Sequence, residues 1–218
     1  MAREHVTRQP AFREFASRGA LAAALAETVA DLLKAGSKAR GGATLAVSGG
    51  TTPGAFFDAL SRRELDWTKV VVTLVDERFV PPSSDRSNEK LVRDRLLVNE
   101  ARLARFIALY SQRDNVEEAA RAAAAAIALL GQPLDVVVLG MGTDGHTASF
   151  FPDAPNLDAL TDPAQPRRVM PVHTIAGGEP RLTLTLPLIA NARFLALHIE
   201  GREKRAVPLF SRSLREAS

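Results

Sequence analysis

The sequence contains no cysteine. That single absence excludes disulfides, thiolate metal sites and a cysteine nucleophile. Histidine is scarce as well, with four among 218 residues, so a metal site of imidazole and carboxylate has few ligands to draw on. Aromatic side chains make up 6%, with one tryptophan and one tyrosine, which is a poor supply for a surface that stacks single-stranded nucleic acid. A strong charge bias is missing too: 28 Lys and Arg stand against 25 Asp and Glu, for a net +3. No nucleic-acid partner is expected. The longest uncharged apolar run, AAAAAIALL at 122–130, falls well short of the ~20 residues of a membrane span, so no membrane partner is expected either. The first ten residues, MAREHVTRQP, carry charge and proline where a signal peptide would be apolar. A cytoplasmic location follows, with residues 1–10 expected to be flexible.

What remains is an ordinary globular composition, 46% apolar and 24% charged, long enough for one sizeable core. A single domain over 1–218 is expected. Short apolar runs alternate with helical patterns, which predicts strands joined by crossover helices: a Rossmann-like α/β fold with a mostly parallel sheet and helices on both faces. The spacing predicts helices over Ala20–Lys34, Pro53–Ser61, Asn88–Leu97 and Arg202–Leu214, with strands TLAVS (44–48), VVVTLV (70–75), DVVVL (135–139), RLTLTL (181–186) and FLALHI (194–199). Asn115 and Glu118 form a capping box for an alanine-rich helix ending near Leu130. The stretch Pro152–Arg168, rich in Pro, Asp and Asn, reads as an irregular surface loop.

Three turns carry the candidate chemistry. Gly140, Gly142 and Gly145 follow the valine-rich strand with the spacing G-x-G-x-x-G, the start of a dinucleotide-binding turn. A Rossmann site also needs a helix directly after the glycines and an acid ending the next strand, and neither follows. NAD binding is therefore rejected, and what stays is a sharp turn holding Asp144 and His146. The second turn, GGTTPG at 49–54, has Thr52 as N-cap and Pro53 in the first helical position. Free backbone N–H groups of Gly49, Gly50, Thr51 and Thr52, with the hydroxyl of Ser48, suit a phosphate. No Walker G-K-[ST] follows, and a ligand-free strand-to-helix turn is the plain alternative. The third stretch, VDERFVPP (75–82), delivers Asp76, Glu77 and Arg78 to the end of a buried strand, where a local ion pair would be the plain alternative. Parallel strands share a carboxyl end, so all three turns converge on one edge.

AVSGGTTP, LVDERFVPPSSDRSN, LGMGTDGHTASFFP and RLTLTLPLIANAR, in this order, resemble the 6-phosphogluconolactonase family, related in fold to glucosamine-6-phosphate deaminase. The resemblance spans nearly the whole chain. It implies hydrolysis of 6-phospho-D-glucono-1,5-lactone to 6-phospho-D-gluconate in the oxidative pentose phosphate pathway, with no cofactor and no metal. The partner it implies is a small phosphorylated sugar lactone; a monomer or weak homo-oligomer is expected. By the same resemblance His146 is the general base and Arg78 faces the lactone or its oxyanion; Asp144, two residues from His146, is placed to orient the imidazole or the water. The 48–52 turn, with Arg181 and Lys204 as cationic partners, belongs to the phosphate cradle. Asp76 holds Arg78 or takes a more direct part, and Asn88 contacts sugar hydroxyls or starts a helix. His173 and His198, on apolar strands, read as packed or surface residues. Two rivals stay open: an amino-sugar-phosphate deaminase or isomerase, which would carry DEY where this chain has DER, and a non-catalytic sugar-phosphate sensor.

Overall fold

A computed structural model describes residues 11–130, 133–173, 178–201 and 204. The flexible lead expected at 1–10 lies outside the described residues, as does the helix expected over 202–214 apart from Lys204. The first helix, α1, spans Arg18–Arg40 and is capped at both ends: the Ser17 side chain accepts from Ala20 N, and Gly41 closes it at φ 77°. It runs past the expected end at Lys34 because Gly36 brings its backbone close to Ala43 and Asp135, where packing outweighs glycine's weak helix propensity. Ala22, Ala26, Val29, Ala30 and Leu33 form its buried stripe.

Strand β1 (Ala43–Val47) is buried throughout, and the turn after it leads into α2 (Gly54–Ser61). Next come β2 (Val70–Leu74), the three-residue β3 (Asp76–Arg78), α3 (Asn88–Arg95) and β4 (Arg105–Ile107). Helix α4 (Val116–Ala128) begins as the capping box requires, with Asn115 accepting from Glu118 N. It is followed by β5 (Val136–Leu139), α5 (Leu157–Thr161), β6 (Val169–Val172), β7 (Arg181–Leu184), α6 (Leu186–Ala190) and β8 (Phe194–Leu197).

Five strands form a parallel sheet in the order β4-β2-β1-β5-β8. Around it Phe56, Phe57, Leu45, Leu74, Trp67 and Leu33 are fully buried, and the fold is the flanked, mostly parallel single-domain sheet expected. The chain leaves β1 first toward β2 and later returns on the other side as β5, which opens a crevice between the carboxyl ends of β1 and β5.

Four expectations need correction. The DER stretch is not the tail of β2 but a strand of a second, antiparallel sheet ordered β3-β7-β6, in which Arg78 stands opposite Arg181. Pro53, not Thr52, precedes α2 as its cap residue and makes no side-chain cap bond. The 152–168 stretch is not all surface loop, because α5 lies within it and Leu160 packs with Ala154, Met170 and Val172 in a small second core. Finally, RLTLTL stops at Leu184, where Pro187 favours the first turn of α6.

Candidate active site

The turn after β5 builds a histidine–carboxylate pair. Gly142 N–H donates to His146 O at 2.8 Å, folding the loop back on itself. Asp144 Oδ1 then lies 2.6 Å from His146 Nδ1. A side chain at Gly142 is impossible without moving the pair: a Cβ there would sit 2.4 Å from both the imidazole ring and the Asp144 oxygen. With Nδ1–H donated to the carboxylate, Nε2 is left as the accepting nitrogen, the tautomer a base requires. Partial burial pushes the Asp144 carboxyl up, but the hydrogen bond and charge of His146 outweigh it and hold the group below its ordinary value. No helix follows Gly145 until α5, so nothing there aims an N-terminus at a pyrophosphate.

Phe151 links this pair to two arginines. Its ring lies 4.4 Å from the His146 ring, centroid to centroid, and the Arg181 guanidinium stands over it at 5.5 Å. Across the β3–β7 pair Arg181 faces Arg78. Neither Nε has a hydrogen-bond partner among the described residues, although both are buried. Burial first, and the like charge of Arg78 second, depress the Arg181 pKa, with Asp76 and Glu179 opposing. Two guanidiniums on opposed residues, each with an Nε that bonds nothing among the described residues, are groups of the kind that pair with negatively charged oxygen.

Beneath them lies a buried brace. Asp76, 7% exposed, accepts from Ser149 Oγ at 2.8 Å, which ties β3 to the histidine loop, and its carbonyl accepts from Asn88 Nδ2 at 2.9 Å. No hydrogen bond between the Asp76 and Arg78 side chains occurs among the described residues. Glu77, fully buried, accepts from Ser87 Oγ and from the backbone N–H groups of Arg78, Asn88 and Glu89, so it anchors the start of α3. Burial pushes its carboxyl up against the pull of those four bonds. Asn88, 3% exposed, packs under the first glycine turn, where a Cβ on Gly49 would fall 1.9 Å from its Oδ1.

The crevice between β1 and β5 holds the remaining predicted residues. Ser48 Oγ accepts from Gly140 N–H at 2.8 Å, which joins the two glycine turns and leaves the hydroxyl hydrogen to donate elsewhere. Lys204 Nζ approaches Thr52 Oγ1 at 3.3 Å. Gly50 and Thr51 are exposed on the rim. Val47, Ser48, Thr52, Pro53, Phe57, Val138, Leu139, Gly140 and His198 line the narrow cleft between the turns. The predicted residues thus form two linked groups: His146, Asp144, Arg78 and Arg181 around Phe151, and Ser48, Gly49, Gly50, Thr51, Thr52 and Lys204 around the crevice. His198 is the member that sequence reasoning missed. Its signal was positional, since it follows β8 as Ser48 follows β1 and Gly140 follows β5. His173, by contrast, is exposed and bonded to Glu117 at 2.8 Å. Among the described residues no group of three or more His, Asp or Glu is placed to hold a metal ion, and no helix is long and apolar enough to cross a membrane.

Comparison with known proteins converges on one family. The family model described as glucosamine-6-phosphate isomerases/6-phosphogluconolactonase matches residues 16–213. A 6-phosphogluconolactonase of Mesorhizobium japonicum is 59% identical over 191 residues, covering 88% of this chain and 80% of the relative. One of Rhizobium meliloti is 57% identical over 193 residues, 88% of this chain and 83% of its own. The crystal structure of a 6-phosphogluconolactonase from Shewanella baltica superposes with a TM-score of 0.85 at 38% identity, covering 93% of this chain and 84% of that one.

Proposed function

Because the chain belongs to the glucosamine-6-phosphate isomerase/6-phosphogluconolactonase family, we propose that it hydrolyses 6-phospho-D-glucono-1,5-lactone to 6-phospho-D-gluconate, the lactone-opening step of the oxidative pentose phosphate pathway. The observation that carries this reading is the His146–Asp144 pair at 2.6 Å, joined through Phe151 to the idle donors of Arg181 and Arg78. His146 Nε2 takes the proton of a water attacking C1. Arg78 and Arg181 face the oxygen on which negative charge develops, and the protonated imidazole returns its proton to the departing ring oxygen. Asp144 accepts from Nδ1 throughout and stabilises the imidazolium.

The phosphate is held at a distance from this chemistry. Backbone N–H groups of Gly49–Thr52, the start of α2, the hydroxyls of Ser48, Thr51 and Thr52, and Lys204 receive it. Asn88 and Asp76 act here as braces of the two turns rather than as groups that touch the sugar. Holding the remote phosphate positions C1 and spends binding energy on the reacting geometry. The enzyme is read as cytoplasmic, monomeric or weakly self-associating, with no required cofactor.

The lactone also opens without a catalyst, so the test is acid release above that background by wild type and by His146→Ala. A fall in kcat of about 10²–10⁴-fold is expected with cooperative unfolding retained, although the ring, 25% exposed, gives up its contacts with Asp144 and Phe151. Ammonia release from glucosamine 6-phosphate, without lactone hydrolysis, would overturn the reading in favour of the deaminase branch of the family. Tight sugar-phosphate binding with no turnover in wild type would favour a sensor.

A further inference from the structure

One wall of the cleft is a histidine that the proposed chemistry leaves unused. His198 follows β8, donates its backbone N–H to Leu139 O at 2.8 Å and has a side chain only 2% exposed. Phe56 stands edge-on to its ring at 6.2 Å, and Ser48, Thr52 and Gly140 share the cleft with it. Its Nε2 lies 3.4 Å from Glu200 Oε1, yet neither atom completes a hydrogen bond among the described residues. The other Glu200 oxygen meets Arg18 Nε at 3.1 Å, at the start of α1. Two buried polar atoms facing each other without a bond are costly, and such pairs persist where a ligand or a proton completes them.

Among the described residues the charges around the ring are few: Glu200 faces it from its own segment, with Arg18 of α1 behind that carboxylate, and Lys204 faces it from the rim, while β1, β5 and α2 present Val47, Ser48, Leu139, Phe56 and Phe57. Burial, with a smaller push from Lys204, holds the imidazole below its ordinary value against the pull of Glu200. A shift in that direction from the ordinary histidine value favours the neutral ring near pH 7.

We propose that His198 and Glu200 form a buried proton-accepting pair beneath the phosphate cradle, so that a phosphomonoester dianion docks on the Thr52 turn together with uptake of one proton by the imidazole. Two negative charges arriving beside Lys204 cancel its repulsion, and in this poorly solvated wall they favour the imidazolium. The proton comes from solvent and completes the Nε2–Oε1 contact. The sign follows: the pKa is low in the free protein and raised in the complex, so phosphate affinity weakens as pH rises through the complex's value. This inference rests on the reading of residues 48–52 as the phosphate site, not on lactone hydrolysis.

Calorimetric titration of the full chain with inorganic phosphate and with 6-phosphogluconate, in two buffers of different ionisation enthalpy, reads the proton directly. Counted beyond the protons that the ligand's own second ionisation exchanges on binding as the dianion, wild type at pH 7 takes up a substantial fraction of a proton per phosphate, and gluconate without phosphate causes none. His198→Gln abolishes the uptake and weakens phosphate binding roughly tenfold, the loss of one charge-assisted contact. Glu200→Gln, which keeps the imidazole and the shape of the wall, diminishes the uptake and serves if the first variant does not fold. No uptake in wild type, or equal uptake in wild type and both variants, overturns the proposal. Lactone turnover without uptake sinks this inference alone, whereas uptake without turnover sinks the lactonase reading alone.

Discussion

At the amino end of the parallel strands, Asp135 is saturated. Its carboxylate accepts from Thr44 N at 2.8 Å and from Thr44 Oγ1 at 3.2 Å, bonds the Arg40 guanidinium, and lies 3.5 Å from Arg193 Nε. Its own N–H donates back to Thr44 Oγ1 at 2.8 Å. On the carboxyl side, where the strands deliver their turns, polar atoms are left idle: Arg78 Nε, Arg181 Nε, Glu179 Oε2, His198 Nε2 and Glu200 Oε1 are five of the eight buried side-chain atoms without a partner among the described residues. One end is closed by its own side chains, and the other leaves donors and acceptors over. Buried polar groups do different jobs at the two ends, and satisfaction of hydrogen bonds tells them apart.

Removing the saturated end should give the largest effect. Asp135→Ala strands the Thr44 and Arg40 donors in a mostly buried setting, and about 3 kcal/mol of stability is expected to go. Turnover of the folded fraction should be unchanged, since the site lies at the opposite edge. Urea unfolding at constant m-value measures the first quantity and initial rates the second. A loss below about 0.5 kcal/mol, the range of ordinary surface substitutions, would mean that the lock is decorative and the comparison empty.

A smaller effect, now on function alone, is expected from Gly142→Ala. The added Cβ would meet the imidazole and the Asp144 oxygen at 2.4 Å, so the pair must shift. Displacement of that size costs roughly 10- to 100-fold in kcat. The loop is on the rim, so the unfolding midpoint should stay close to wild type. Wild-type kcat in this variant would show that the pair tolerates movement and is not the catalytic device.

Much of this division was legible in the residues, and the rest failed for identifiable reasons. Strands β1, β2 and β5 announce themselves as runs of buried Val, Leu and Ala between turn signals, and the capping box of α4 fixes its first residue. The glycine spacings located both turns of the site. Strand β3 was not legible, because Asp76–Arg78 is three charged residues whose strand conformation comes only from pairing with β7, about a hundred residues away. The Arg78–Arg181 juxtaposition is invisible for the same reason: antiparallel register is a tertiary fact. Strands β4 and β6 are too short to show a period, and β6 contains Pro171. His198 escaped because a histidine amid FLAL reads as packing, and only the buried Glu200 beside it gives it another meaning.

The last expected effect, a small one on stability, runs in the opposite direction. Arg181 is charged in a place that disfavours charge: it is buried and faced by Arg78, with Asp76 and Glu179 offsetting only part of the cost. A protein built for stability alone would put an apolar side chain there. Arg181→Met keeps the length that covers Phe151 and removes the repulsion across β3 and β7, so a gain of roughly 1 kcal/mol is expected, together with loss of lactone turnover. The linkage has a definite sign. Asp76 loses a favourable neighbour, which subtracts from the gain but does not reverse it, because the summed surroundings already push the guanidinium's pKa down. Urea midpoints of wild type and variant, compared at equal m-value, decide the matter. A destabilised Met variant would mean that the guanidinium is held by bonds worth more than its burial costs, and the carboxyl end would then be as self-satisfied as the end that closes on Asp135.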